Sequence, residues 1–151
     1  MKTLAARAMR HNLLDEMEPR HIDELLKNAQ EVEFRPGQII LREGEPANRL
    51  YLIQSGKVAV ESPSPGTAPV CIETLIAGDV LGWSCLFPGF AWHFQARALE
   101  ATRAIACDGA HLLVHSEEDH DFGYELMKRV AQVVIHRLQE TRKHIVRVEQ
   151  S

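Results

Sequence analysis

The chain has 151 residues, of which 45% are hydrophobic and 25% charged, with a formal net charge of −4. That length suits one domain able to bury roughly two thirds of its unfolded surface without a disulfide or metal staple, and no apolar run reaches the ~20 residues a membrane helix needs. The acidic balance argues against a nucleic-acid binder, the lack of an N-terminal apolar run argues against secretion, and three unpaired-looking cysteines suit a reducing cytoplasm.

Residues Leu4 to Gln30 read as a helical lead-in, with Leu13, Leu14 and Met17, then Ile22, Leu25 and Leu26, at helical spacing and Pro19 opening a second segment. From Val32 the period falls to two. Val32 and Phe34 alternate with polar residues, Pro36-Gly37 turns, and Ile39 to Leu41 form a buried strand. Leu50 to Gln54 and Lys57 to Glu61, joined at Ser55-Gly56, carry a hairpin signature. Val70, Ile72 and Leu75 lead to Gly78-Asp79, and two further strands run from Phe94 to Leu99 and from Thr102 to Cys107. Many short strands with close turn signals predict an all-β sandwich or barrel over residues 31–108.

Past Asp108 the period is helical again, with Ala110 to His115 short and Asp119 to Val148 long, about 45 Å at 1.5 Å per residue. Val130, Val134, Leu138, Thr141 and Ile145 recur every three or four residues along it. One small barrel cannot cover so long a seam, and pairing with the same helix of a second chain would bury it. Lys128, Arg129, Arg137, Arg142, Lys143 and Arg147 read as its solvated face.

The stretch Gly78 to Asp108 holds both tryptophans; Trp83, Phe87, Phe90, Trp92 and Phe94 crowd into a loop opened by Gly-Asp and broken at Pro88-Gly89. Trp83 and Trp92 could stack on a planar ligand, His93 could meet an anion, and Ser84 could donate one hydrogen bond.

Phe34 to Gly37, Ile40 to Glu45, Tyr51 to Val58 and Gly78 to Gly82 carry the ordered patterns F-x-x-G, I-x-x-x-G-E, Y-x-I-x-S-G-x-V and G-D-x-x-G. Together they resemble the cyclic nucleotide-binding domain of the catabolite-activator and fumarate-nitrate-reductase regulators. The resemblance implies a mainly β jelly-roll, or β-roll, with N-terminal helices over 1–30, a roll over 31–108, and helices over 109–151 that end in a long dimerisation helix. It also implies a phosphate-binding cassette whose backbone N–H groups face a cyclic phosphate, a carboxylate for the ribose, and an arginine for the phosphate.

Here the carboxylate position is Trp83 and the arginine position falls on Trp92, with His93 and Phe94 after it. The implied function is a non-catalytic, cytoplasmic ligand-sensing domain with weak or altered nucleotide specificity. Its ligand contacts would be Gly82, Trp83, Ser84, Cys85, Trp92, His93 and Phe94, with Arg97 a neighbour able to swing in. The ligand is a cyclic nucleotide or another small planar molecule, and the partners are a second copy and a protein that reads the change. Two alternatives stay open: a structural dimer module with a filled pocket, and the sensor fragment of a DNA-binding regulator. Direct DNA binding is not expected, because the sequence stops at Ser151 before any helix-turn-helix. His111, His115 and His120 lack zinc-site spacing, and neither Cys85 nor His93 lies in a haem motif.

Overall fold

A computed structural model describes Leu4 and residues 11–62, 66–87 and 94–150. A 3-10 turn (Asn12–Leu14) and helix α1 (Pro19–Leu25) lead into strands β1 (Gln30–Phe34), β2 (Ile39–Leu41), β3 (Arg49–Ser55), β4 (Lys57–Ser62), β5 (Val70–Ile76) and β6 (Val80–Leu81). A second 3-10 turn (Trp83–Leu86) follows, then β7 (Gln95–Ala98), β8 (Thr102–Asp108), α2 (Gly109–Glu118) and α3 (His120–Gln150). The strands form two four-stranded antiparallel sheets, in the orders β1-β8-β3-β6 and β2-β7-β4-β5. This is the jelly-roll expected from the sequence.

β3 explains how the roll is joined to its helices. Leu50, Leu52, Ile105 and Cys107 point outward into one cluster with Leu25, Leu112, Phe122, Leu126 and Val130 from the helices. Tyr51, Ile53, Ala104 and Ala106 point inward and meet Val58, Val60, Leu75, Leu81 and Ala96 inside the roll. Successive strand residues face opposite sides, so a strand buried on both faces must be apolar at every position from Leu50 to Ile53. Each fully buried Leu or Ile contributes roughly 1.5–3 kcal/mol.

The lead-in is less helical than its spacing predicts. Glu16 and Asn28 take positive φ, 62° and 65°, which no right-handed helix tolerates, so α1 spans only Pro19–Leu25. α2 starts on Asp108, whose carboxylate accepts from the amides of Ala110 and His111 at 3.0 and 3.4 Å. In α3, Phe122, Leu126 and Val130 pack on the roll, and every residue from Leu138 to Gln150 is exposed.

Candidate functional site

Leu75 of β5 is buried inside the roll, and Glu73, two residues earlier, shares its face. Glu73 therefore looks across the roll mouth toward α3. There Arg137 Nε lies 3.5 Å from Glu73 Oε1, with side chains 17% and 30% exposed. Arg137 Nη2 is buried and has no hydrogen-bond partner among the described residues. Burial pushes the Glu73 carboxyl up and the Arg137 guanidinium down from their ordinary values, outweighing the attraction between them. Around the pair is a groove of about 450 Å³, also lined by Asn12, Gly78, Asp79, Gln132 and His136. It places an acceptor and an unsatisfied donor side by side in a space that suits a small polar ligand.

Among the ligand contacts expected from the sequence, Gly82 takes φ 90° to open the second 3-10 turn. Trp83 is half-buried against the cluster beneath the helices. Ser84 is half-buried and its carbonyl accepts from the Phe87 amide at 3.0 Å. Cys85 is buried, and burial pushes its thiol up to about 12, as it does that of Cys107. Phe94 packs against the other cluster, inside the roll. Trp83 and Phe94 therefore serve different cores; Trp92 and His93 lie outside the described residues. Arg97 is tied to Glu61 at 3.3 Å, and Glu61 also accepts from Gln95 at 2.7 Å.

Two arginines expected on a solvated face are not there. Arg129 donates to Glu125 at 2.6 Å and to the Leu13 and Asp15 carbonyls at 2.7 and 2.6 Å, and Arg137 is held by Glu73. Of the seam residues, Val130 is part of the chain's own core and Val134 packs partly against it, whereas Leu138, Thr141 and Ile145 are exposed. His111 Nε2 lies 3.0 Å from the Glu24 carbonyl oxygen, which ties α2 to α1, and His111 stacks on His115 at 5.9 Å.

Glu73 and Arg137 escaped the sequence reading because the β5 faces were not separable by spacing. Val70, Ile72 and Ile76 are exposed at 58%, 55% and 54%, and the charged Glu73 is the inward residue. The available signal was Glu73 two residues before the deeply buried Leu75.

Residues 31–115 match the model of the cyclic nucleotide-binding domain family. A CRP-like cAMP-activated global transcriptional regulator of Mycobacterium tuberculosis is 31% identical over 108 residues, 72% of this chain and 47% of the relative. The chain thus spans about half the length of the curated relatives it first matches. Among solved structures, a candidate cyclic nucleotide-binding protein of Geobacter metallireducens aligns with a TM-score of 0.79 at 25% identity, covering 91% of this chain and 99% of that one. The sensor domain of the transcriptional regulator DNR from Pseudomonas aeruginosa aligns with a TM-score of 0.70 at 19% identity, covering 89% and 90%.

Proposed function

Since the chain belongs to the cyclic nucleotide-binding domain family, we propose that it works as a non-catalytic ligand-sensing domain in which Glu73 and Arg137 replace the charged groups missing from the cassette. The observation that carries this reading is the buried, unpartnered Arg137 Nη2 beside Glu73 at the roll mouth. Burial disfavours both charged forms, so stability alone gives no reason to keep the pair; a ligand with hydroxyl and anionic groups would satisfy it. In this reading residues 1–151 form a single domain and the second 3-10 turn (Trp83–Leu86) forms a lid. Ligand binding shifts the lid against α3. α3 pairs with a second copy, and a partner protein reads the change. We also place this chain in the cytoplasm, where its three free cysteines would stay reduced.

Native mass spectrometry of the purified protein, followed by calorimetry with cyclic AMP and cyclic GMP, tests the reading. A retained or added small ligand is expected, bound at least about tenfold more weakly by Arg137→Met, the loss of one charge-assisted contact. Micromolar cyclic AMP binding unaffected by that substitution would overturn the role of the pair. The packing of Trp83 and Phe94 into two separate cores favours a second reading, a dimer module whose pocket is filled from within. Under that reading no ligand is retained and neither nucleotide binds.

A further inference from the structure

The segment from His11 to Asp15 is tied down at both ends. Arg129 of α3 grips the Leu13 and Asp15 carbonyls at 2.7 and 2.6 Å. His11 Nε2 lies 3.0 Å from the carbonyl oxygen of Asp79, in the turn between β5 and β6. Between these anchors Asn12 lies so close to Gly78 that a Cβ there would sit 2.6 Å from Asn12 Nδ2. Asn12 and Gly78 line both the Glu73–Arg137 groove and a second cavity of about 330 Å³ bounded by Gln54, Ser55 and Arg103. The strap is therefore the partition between two polar spaces, and it links α3 to the turn that precedes the lid.

Its weak point is one ring. The Leu13 amide donates to His11 Nδ1 at 3.1 Å, so the ring carries its proton on Nε2 and donates to Asp79. A second proton, on Nδ1, would set one N–H against another, and the bond to Leu13 would have to break. We propose that His11 is a protonation-controlled clasp: acidification breaks its bond to the Leu13 amide and loosens the strap that divides the two cavities.

Among the described residues the charged groups around it are few. Asp79 attracts a protonated ring from the β5–β6 turn. Arg103, from β8, lines the same cavity but is held by Glu31 and Glu33 at 3.4 and 2.9 Å. Arg129 acts through the carbonyls it grips, and Asp15 lies on the strap itself. Burial exceeds the pull of Asp79 and holds the ring below the usual histidine range, so acid favours the loosened strap and neutral pH the closed one. The proposal rests on the groove reading only for its consequence at the ligand site.

Amide exchange of the full chain by NMR from pH 7.5 to 5, corrected for intrinsic rates and without ligand, tests the clasp. Leu13 protection is expected to fall about tenfold per pH unit once the ring begins to titrate, as one linked proton requires. His11→Gln, which can still donate to Asp79 but cannot take up a proton, should show no such fall. Constant protection in the wild type, or the same fall in His11→Gln, overturns the proposal. If the variant does not fold, the His11 ring titration is followed in the wild type; a midpoint that coincides with strap opening supports the clasp, and one that does not coincide overturns it. Because no ligand is present, failure here leaves the ligand test standing, and the converse holds.

Discussion

Arg137 of α3 and Glu73 of β5 meet at 3.5 Å across the mouth of the roll, and burial works against the charged form of each. Removing one partner leaves the other charged, buried and alone, whereas removing both removes two desolvation costs. Arg137→Met should therefore destabilise the chain by about 1–3 kcal/mol, and the double variant Glu73→Gln/Arg137→Met should match or exceed the wild type. Urea unfolding of the four proteins of this cycle checks it. A double variant less stable than the wild type would mean that the pair is a net stabiliser.

The second 3-10 turn is seated on α2 through Gly109. A Cβ there would lie 2.8 Å from Cys85 Cβ and 2.9 Å from the Asn48 carbonyl oxygen, one a buried side chain and the other backbone. Neither can give way cheaply. Gly109→Ala should displace the turn, costing about 1–3 kcal/mol and shifting the backbone NMR signals of Gly82 to Leu86 more than those of β1. Undisturbed Gly82 and Cys85 signals would show that the turn is not braced from below.

Gly56 is more constrained still. It joins β3 to β4 at φ +99°, and a Cβ would come within 2.4 Å of Thr102 Oγ1 and 2.6 Å of the Ala101 carbonyl oxygen. Backbone strain and overlap act together in Gly56→Ala, which should lower stability by about 2–4 kcal/mol, read as a fall in thermal midpoint. The Ser-Gly turn signal in the sequence is thus explained by the close approach of the β7–β8 connection.

These glycines show what was legible before any coordinates. The hairpin signature from Leu50 to Glu61 with its turn at Gly56, and the helical period after Asp108, are local signals, and each ended in the expected element. Glu73 and Arg137 are 64 positions apart in sequence, and only the placement of α3 over the roll brings them together. Trp83 and Phe94 were legible as aromatics. Which core each joins depends on the side of the sheet the chain is on, and loop composition does not carry that.

His11 gives the stability of the chain a pH dependence of definite sign. Its pKa in the fold lies below the ordinary value of 6.5, so between the two values the unfolded chain binds more protons. Stability is then full above pH 6.5 and falls as acid carries the protein toward the folded value, by at most about 1.4 kcal/mol per pH unit. Glu73, raised from 4.5, acts oppositely: its contribution is full below 4.5 and is lost as pH rises through its folded value. Urea midpoints measured from pH 5 to 8 should rise with pH in the wild type and flatten in His11→Gln. A wild-type profile falling toward pH 8 would assign the dominant shift to Glu73 instead.

Assembly and folding should separate along α3, because its first half is packed in the domain and its second half is exposed. Val130 is 3% exposed in the domain's own core, whereas Leu138 and Ile145 are 49% and 55% exposed further along the helix. Val130→Ala deletes methyl groups from a packed site and should cost about 1–3 kcal/mol of stability. It should leave self-association unchanged. Leu138→Glu and Ile145→Glu introduce charge where a second copy would bury its own apolar side chains, so they should leave the unfolding midpoint of the roll nearly unmoved. Their dimer dissociation constant should rise by a factor of about 100, for roughly 3 kcal/mol. Sedimentation equilibrium on the three variants decides the matter: a wild-type chain that stays monomeric at high concentration, or a dimer indifferent to both glutamates, would move the interface off α3.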